Sequence, residues 1–249
     1  MQFRVLGPLQ TRASDGELIQ LGAAKQRTLL SVLLLHPNLP VCVDRLVDTL
    51  WPSQRPPSVT SAVRTYVSSL RHSLRLTGRA PAARLLARGG AYLIEVEPAD
   101  LDLLVFEQLA ASGQHALAEG DAGTAAERLQ VALALWRGRP LEDVPLDHEC
   151  DLMLAALQER RREVLDDCVE ARLALGHHAA LATELRASVL AEPLRERLWG
   201  QWMLALYRSG RQAEALAAFQ ELRDVLDREL GVEPAAPLRE LRRRLAGAA

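Results

Sequence analysis

The chain has 249 residues, of which 49% are hydrophobic and 25% charged, and its formal net charge is −2 at pH 7. This composition predicts a globular protein that is long enough for two domains with their own cores. No apolar run has the length of a membrane-spanning helix, and the first residues lack the apolar segment of a signal peptide. Cys42, Cys150 and Cys168 have neither zinc-site spacing nor a disulfide framework, so we expect reduced thiols in a cytoplasmic protein.

Charge divides the chain into a basic part and an acidic part. Residues 1–98 hold twelve Lys and Arg against six Asp and Glu, whereas residues 99–249 hold eighteen against twenty-six. Residues 49–94 contain seven arginines and no Asp or Glu. A positive surface of one sign is typical of contact with a polyanion, most often the phosphate backbone of a nucleic acid. The alternative is a solvated surface in a chain whose usual cation is arginine.

The first hundred residues begin with a short β-rich lead that contains Phe3 and Val5. Asp15-Gly16, between two β-prone runs, predicts a hairpin turn. A helix is predicted from about Ala24 to Leu35, and His36-Pro37-Asn38 ends it.

Two further helices follow in this part of the chain. Asp44 is the predicted N-cap of the first, and Pro52 ends it. Its apolar stripe has helical spacing and consists of Val43, Leu46, Val47, Leu50 and Trp51. Ser58 is the predicted N-cap of the second, which runs to about Leu76. The core side of the second helix consists of Val59, Val63, Val67, Leu70 and Leu74.

The opposite side of this second helix has the composition of a DNA-reading surface. It consists of Ser61, Arg64, Thr65, Ser68, Arg71 and Arg75. Arginine bonds guanine or phosphate through two N–H groups, and serine and threonine bond phosphates or base edges. A face selected only for solubility usually mixes both signs of charge, and acids are missing here. We interpret the face as a recognition helix, with an ordinary solvated face as the alternative.

A second hairpin is predicted from residues 84–87 and 92–96. Arg88-Gly89-Gly90-Ala91 joins them, and two glycines supply the positive φ of a tight turn. An arginine at this tip suits insertion into a minor groove, although this residue taken alone favours a simple exposed turn position. Strands, two helices, a basic helix and an arginine-tipped hairpin, in that order, predict a helix-turn-helix with a wing.

The second part of the chain has helical spacing and almost no strand pattern after Asp102. A spacing of 5, 4 and 3 residues recurs in Gly120, Ala125, Leu129, Ala132, in Gly176, Leu181, Leu185, Ser188, and in Gly210, Ala215, Phe219, Leu222. The last two glycines are 34 residues apart, which is the tetratricopeptide period. A long helix is predicted from Asp147 to Leu175. Such helical pairs stack, because one pair cannot bury its apolar face alone.

The predicted fold class is therefore mainly α, in two domains. Residues 1–98 are predicted to form a winged helix-turn-helix of α+β type. Residues 99–249 are predicted to form an all-α domain of tetratricopeptide-like helical hairpins.

The sequence contains no recognisable catalytic or metal-binding pattern. Lys25 lacks the frame of a phosphate loop, and His148-Glu149-Cys150 has no second cluster of ligands. We therefore expect no enzyme activity, no cofactor and no metal. We interpret one acidic helix face as solvated, with a protein-docking surface as the alternative: Glu163, Asp166, Asp167 and Glu170. Four aromatic residues are predicted to pack between helices: Trp136, Trp199, Trp202 and Tyr207.

Two stretches of the basic part are distinctive. They are Val43-Asp44-Arg45-Leu46-Val47-Asp48-Thr49-Leu50-Trp51 and Val63-Arg64-Thr65-Tyr66-Val67-Ser68-Ser69-Leu70-Arg71. With Lys25 to Leu30 and Pro56-Pro57, they resemble the OmpR-type winged helix, a two-component output domain, as the Streptomyces antibiotic regulatory protein (SARP) family carries it. The family's wing usually reads Pro-Gly-Tyr or Thr-Gly-Tyr, whereas this chain has Gly90-Ala91-Tyr92, which puts the wing's geometry in question.

The resemblance implies roles for individual side chains. Arg64, Thr65, Ser68 and Arg71 would read the major groove, beside Ser61 on the same face. Lys25, Arg27 and Arg75 would mainly hold phosphates. Trp51 and Tyr66 match positions that support phosphate contact, and Arg88 matches the arginine of the wing.

The acidic part carries a second resemblance. Leu135 to Leu141, Glu192 to Glu196, Met203 to Leu216 and Glu229 to Pro234 are similar to the bacterial transcriptional activation domain that follows the winged helix in this family. The two resemblances imply an activator that binds direct repeats in double-stranded DNA near the promoter −35 element, side by side as a homodimer. It would recruit RNA polymerase through the sigma factor and other surfaces, typically at antibiotic or other secondary-metabolite gene clusters.

Such a protein would be cytoplasmic, associated with the nucleoid and free of membrane contact. Two other functions stay open from the residues. One is a helical-repeat adaptor whose winged helix docks on protein, and the other is a ligand-sensing repressor with a pocket among the repeats.

Overall fold

The computed structural model describes residues 2–13, 15–75 and 83–247. The chain forms two compact units, the first from Met1–Ala111 and Val131–Arg161, the second from Ser112–Gln130 and Arg162–Ala249. The domain boundary expected at residue 98 stays a prediction. In the structure, residues 131–161 pack with residues 1–111 in one compact unit.

The first unit begins with a two-stranded antiparallel ribbon, β1 (Gln2–Arg4) and β2 (Gln10–Arg12). The predicted turn at Asp15-Gly16 follows, closed by a 2.8 Å hydrogen bond from the Ala13 amide to the Glu17 carbonyl. Helix α1 (Ala24–Leu35) has the predicted bounds. After it the chain reverses at Asn38, whose φ of 63° lies in the left-handed region that asparagine tolerates.

The helix-turn-helix and the wing come next. Their elements are β3 (Val41–Cys42), α2 (Val43–Leu50), α3 (Val59–Arg75), β4 (Ala83–Arg88) and β5 (Ala91–Val96). The three strands form an antiparallel sheet in the order β3-β5-β4. At the hairpin tip Gly89 and Gly90 have φ of 53° and 84°, which is the pair of positive angles that a tight two-residue turn requires.

The core of this part is the predicted one. Val63, Val67, Leu70 and Leu74 of α3 are at most 3% exposed, and they belong to the same cluster as Leu29 and Leu33 of α1. This packing explains why α3 shows one face to solvent, because its apolar stripe is fully used by α1 and α2.

One predicted cap is wrong. The N-cap of α2 is Cys42, not Asp44, because β3 leads directly into the helix and the Val43 amide donates to the Gly90 carbonyl at 3.0 Å. Asp44 lies in the first turn instead, where its carboxylate interacts favourably with the positive end of the helix dipole.

A 3₁₀ turn at Pro98–Asp100 leads to α4 (Asp102–Ala118), α5 (Ala122–Ala134) and α6 (His148–Ala174). The carboxylate of Asp102, 9% exposed, accepts the amides of Val5 at 2.8 Å and Leu6 at 3.1 Å. The Leu141 amide donates to the carbonyls of Val5 and Gly7. Segments from both predicted domains therefore complete one another's backbone hydrogen bonds in the first unit.

Asp147 joins α2 to α6 within this unit. Its carboxylate forms a bidentate ion pair with Arg45 of α2 and accepts the Thr49 hydroxyl at 2.8 Å. It also accepts the Cys150 amide at 3.1 Å, which caps the N-terminus of α6. The hydrogen bond from Arg45, with smaller contributions from the Cys150 amide and the Thr49 hydroxyl, holds the pKa of Asp147 well below its usual range.

The second unit contains α7 (His178–Ala191), α8 (Glu196–Arg208), α9 (Gln212–Leu230) and α10 (Ala236–Gly247), with parts of α4, α5 and α6. The repeat predicted from spacing is present. Its three glycines, Gly120, Gly176 and Gly210, have φ of 82°, 82° and 79° at the turns between helices. Trp199 and Trp202 pack edge to face with ring centroids 5.7 Å apart, which confirms a packing role for both.

The expectation of a solvated acidic face on α6 is wrong for two of its members. Asp166 is 6% exposed and bonds Arg195 at 2.5 Å, and Asp167 bonds Arg197 at 2.9 Å. Burial raises the pKa of Asp166, and Arg195 opposes that rise. Helical periodicity correctly predicted that these acids share one face of α6. It did not predict their arginine partners, which lie about thirty residues away in the sequence.

No helix among the described residues is both long and apolar enough to cross a membrane.

Asp147→Asn is expected to lower the free energy of unfolding by about 2 kcal/mol at pH 7, because the part-buried Arg45 loses its bidentate partner and keeps only the largely exposed Glu149. The folded-state pKa of Asp147 is depressed, so its stabilisation is present above the unfolded pKa of 3.8 and is lost as pH falls. The difference between wild type and variant should therefore begin to shrink as the pH falls toward about 4 and should go on shrinking through pH 3. Urea unfolding at several pH values measures it.

Asp227→Asn is the control, because it makes the same chemical change at an exposed residue of α9. It should change stability by less than about 0.5 kcal/mol. A stability loss in Asp147→Asn that is the same at pH 7 and pH 3 would show that the charge of Asp147 is not the cause.

Candidate nucleic-acid interface

The solvent-facing side of α3 presents most of the residues predicted for it. Ser61, Arg64, Thr65 and Ser68 are exposed and follow one another at helical spacing. The Thr65 hydroxyl donates to the Ser61 carbonyl at 3.0 Å, which holds that side chain close to the helix. His72, which the sequence analysis did not select, is exposed one turn further on. This face of α3 carries no acid between Val59 and Arg75.

Arg71 is half-buried and has a partner inside the protein. Its Nε donates to the carbonyl of Leu85 in β4 at 2.9 Å. The side chain therefore connects the predicted recognition helix to the wing hairpin. Its predicted contact with DNA stays a prediction, as does that of Arg75, whose side chain lies outside the described residues.

Lys25, Trp51 and Tyr66 form one cluster. The rings of Trp51 and Tyr66 stack with centroids 6.1 Å apart and planes 21° apart, and Lys25 Nζ lies 4.7 Å from the Trp51 ring centroid. Lys25 also donates to the Leu50 carbonyl at the C-terminal end of α2, where a cation interacts favourably with the helix dipole. All three predicted residues are brought together here, and both rings are half-buried.

Arg27 lies on α1 and is paired with an acid of the same unit. Its guanidinium bonds the carboxylate of Asp143, whose other oxygen accepts the Leu9 amide at 2.8 Å. The two side chains are 30% and 35% exposed, so a phosphate would have to compete with Asp143. The sequence analysis missed this partner, because the two residues are 116 positions apart.

The wing carries its arginine at the predicted tip. Arg88 is 66% exposed on its side chain, next to the two glycines of the turn, and one of its nitrogens is 3.7 Å from a carboxylate oxygen of Glu95. That pair is open to water, so it stabilises little and is easily exchanged for another anion. Arg84, opposite Glu95 in the register of β4 and β5, is also exposed.

Exposed cations, small hydroxyls and an arginine-tipped hairpin thus lie on neighbouring elements of one unit. Hydroxyls and guanidinium groups can bond phosphates and base edges. Separately, the described residues contain no group of three or more His, Cys, Asp or Glu that could hold a metal ion. The chemistry that this surface supports is recognition of an anion-rich partner.

The chain matches two protein-family models. Residues 16–94 match "Transcriptional regulatory protein, C terminal", and residues 101–246 match "Bacterial transcriptional activator domain". Regulatory protein DnrI of Streptomyces peucetius is 39% identical over 246 residues, which cover 97% of this chain and 90% of that protein. The chain belongs to the SARP family of transcriptional activators.

Several other relatives of this SARP chain are longer than it is. Transcriptional regulator RedD of Streptomyces coelicolor is 35% identical, with 96% of this chain and 68% of RedD covered. Regulatory protein AfsR of Streptomyces griseus is 38% identical over 98% of this chain, which spans 24% of AfsR. The solved structure of Mycobacterium tuberculosis EmbR, in complex with a low affinity phosphopeptide, aligns with a TM-score of 0.93 at 34% identity. That alignment covers 98% of this chain and 64% of the EmbR chain.

Arg71→Ala is expected to increase hydrogen–deuterium exchange in residues 83–96, because it removes the bond that holds β4 against α3. Mass spectrometry of peptides from this SARP protein would measure the change. His72→Ala, at the exposed neighbouring position, is the control and should leave exchange in the hairpin unchanged. Equal exchange in Arg71→Ala and wild type would refute the structural role of Arg71.

Proposed function

We propose that this protein is a sequence-specific DNA-binding activator in which α3 enters the major groove. The observation that carries the proposal is the exposed, acid-free face of Ser61, Arg64, Thr65 and Ser68 on a helix whose other side is fully buried. A rigid helix with short hydroxyl side chains and one free-standing arginine suits close approach to base edges. Protein interfaces, in contrast, tend to deplete charge at their centre, which disfavours the adaptor.

The other contacts follow from the same geometry. Arg88 at the wing tip would enter the adjacent minor groove, with Glu95 released. Lys25, Trp51 and Tyr66 would lie against the phosphate backbone, as would Arg27 if Asp143 gives way, and Arg75 is the further phosphate contact that the sequence predicts. Arg71 would contact the major groove with the nitrogens that do not bond Leu85.

We further propose the family's arrangement on promoters. Two copies would bind direct repeats side by side near the −35 element and recruit RNA polymerase through its sigma factor. The target would be a secondary-metabolite gene cluster, and the protein would act in the cytoplasm on the nucleoid. The relationship to DnrI and RedD and the match of residues 101–246 to an activator domain support this proposal.

Selection from a random pool of DNA duplexes at near-physiological salt tests the DNA-binding proposal. Wild type should enrich a short motif repeated in one orientation, with repeats about one or two helical turns apart. Arg64→Ala should weaken that preference, because a bidentate contact to a base contributes about 1–3 kcal/mol of discrimination. Arg239→Ala removes the same charge from an exposed position of α10 and is the matched control.

The outcomes of the selection separate the parts of the proposal. A palindromic motif would keep DNA reading but refute the side-by-side arrangement. Weak, strongly salt-dependent binding without an enriched motif would refute sequence-specific recognition.

Activation has its own test, which is transcription in vitro from a promoter that carries the selected repeats. Purified RNA polymerase holoenzyme should produce more transcript when wild-type protein is present, and Arg64→Ala should abolish that increase while Arg239→Ala keeps it. A decrease in transcript with wild type would identify a repressor instead.

A further inference from the structure

A cavity of about 430 Å³ lies in the first unit, away from the residues proposed to contact DNA. Its walls are β1, the 3₁₀ turn at Pro98–Asp100, the start of α4 and the C-terminal end of α5 with the loop beyond it. The volume is within the range of small-molecule sites. None of its lining residues has a role in the function proposed above.

The β1–β2 ribbon provides one side of this cavity with positive charge. In the antiparallel register Gln2 is opposite Arg12, and Arg4 is opposite Gln10. Side chains alternate along a strand, so these four polar residues share one face, whereas Phe3 and Thr11 are buried on the other. Arg4 is half-buried and lines the cavity, and its hydrogen bond to Gln2, at 3.4 Å, is long.

Arg137 provides a second guanidinium on the same cavity. Its side chain is 23% exposed and donates to the Pro8 carbonyl at 3.1 Å, and its buried Nε has no hydrogen-bond partner among the described residues. Burial lowers the pKa of Arg137, the charge of Asp102 opposes that shift, and the positive charges of Arg4 and Arg12 add to it. The guanidinium groups of Arg4 and Arg137 therefore line one cavity, and their charges repel one another.

Asp102, the buried acid at this cavity, bonds the backbone more closely than it bonds Arg137. Both oxygens of Asp102 accept backbone amides, from Val5 and Leu6, and the nearest nitrogen of Arg137 is 3.8 Å away. Burial raises the pKa of Asp102, and the amides of Val5 and Leu6 and the charge of Arg137 oppose that rise. Asp100 is the other acid of the lining, so the lining holds two arginines and two aspartates.

The remaining lining is apolar. Val105 and Leu135 are half-buried at the cavity, and Ala99 and Ala134 are exposed at it. A few converging charges on an otherwise apolar wall are typical of a site for a small amphipathic molecule.

We propose that this cavity binds a small organic anion, whose acidic group lies between Arg4 and Arg137 and whose apolar body contacts Val105 and Leu135. The ligand class is a monoanion with a ring or short acyl body, and the anion supplies a closer acceptor for Arg137 than Asp102, whose oxygens accept backbone amides. Charge-assisted bonds to two guanidinium groups fix the acidic end. The apolar wall selects against inorganic anions.

The probe for this site is 8-anilinonaphthalene-1-sulfonate, an aromatic body with one sulfonate, titrated into the full chain by fluorescence. N-phenyl-1-naphthylamine has the same rings without the charge. Arg4→Gln should weaken binding of the sulfonate by about tenfold, which corresponds to one lost charge contact, and binding of the neutral amine by less than about twofold. Circular dichroism checks that the variant is folded.

Two further variants locate the site. Ala99→Trp places a large side chain at an exposed position of the lining and should abolish binding of both probes. Arg186→Gln removes a cation from a separate groove in the second unit, lined also by Trp202 and Glu221, and should change neither affinity. The proposal is overturned if Arg4→Gln and Ala99→Trp bind the sulfonate like wild type, or if Arg4→Gln weakens both probes equally. Loss of sulfonate binding in Arg186→Gln would also overturn it.

Discussion

The carboxylate of Asp147 is the interaction on which the first unit depends. It neutralises Arg45, accepts the hydroxyl of Thr49 and caps α6, so one side chain joins α2 to the start of the long helix. Helix α2 in turn packs on α3, whose outer face is the candidate DNA surface. A part-buried ion pair with further hydrogen bonds is strong only while every partner is present. The position of α2, and with it the support of α3, therefore depends on a residue outside the winged helix itself.

The arginines and the lysine of the basic part are used in two different ways. On α1 and α2, Lys25, Arg27 and Arg45 bond a backbone carbonyl or a carboxylate of the same unit. On α3, no ion pair involves Arg64 among the described residues, and its side chain is exposed. Cations that hold the fold together are already desolvated or paired, so they contribute less to a positive field than a count of charges suggests. The field that an approaching polyanion meets is therefore weighted toward α3 and the wing.

Local features of this fold could be predicted from the sequence, and long-range pairs could not. The bounds of α1, the stripe of Val63, Val67 and Leu70, and the glycines of the wing turn follow from periodicity and backbone freedom, which are properties of neighbouring residues. The partners of Arg27 and Arg45 lie more than a hundred positions away, and no pattern marks Asp143 or Asp147 as the partner of a distant arginine. The burial of Asp166 escaped prediction for the same reason, since Arg195 belongs to another helix. Periodicity shows which face of a helix a residue occupies, but not what covers that face.

Arg71 shows how one residue can combine both uses. A guanidinium has five N–H donors, and the bond from Nε to the Leu85 carbonyl uses one of them. The remaining donors can bond a phosphate or a base without breaking the link to β4. A contact between Arg71 and the major groove would then fix the wing hairpin at the same moment, because the same side chain holds both. Reading of the major groove by α3 and insertion of Arg88 into the minor groove would be coupled events, and the half-buried state of Arg71 is what couples them. An arginine that was fully exposed on α3 could read a base, but it could not transmit that contact to the wing.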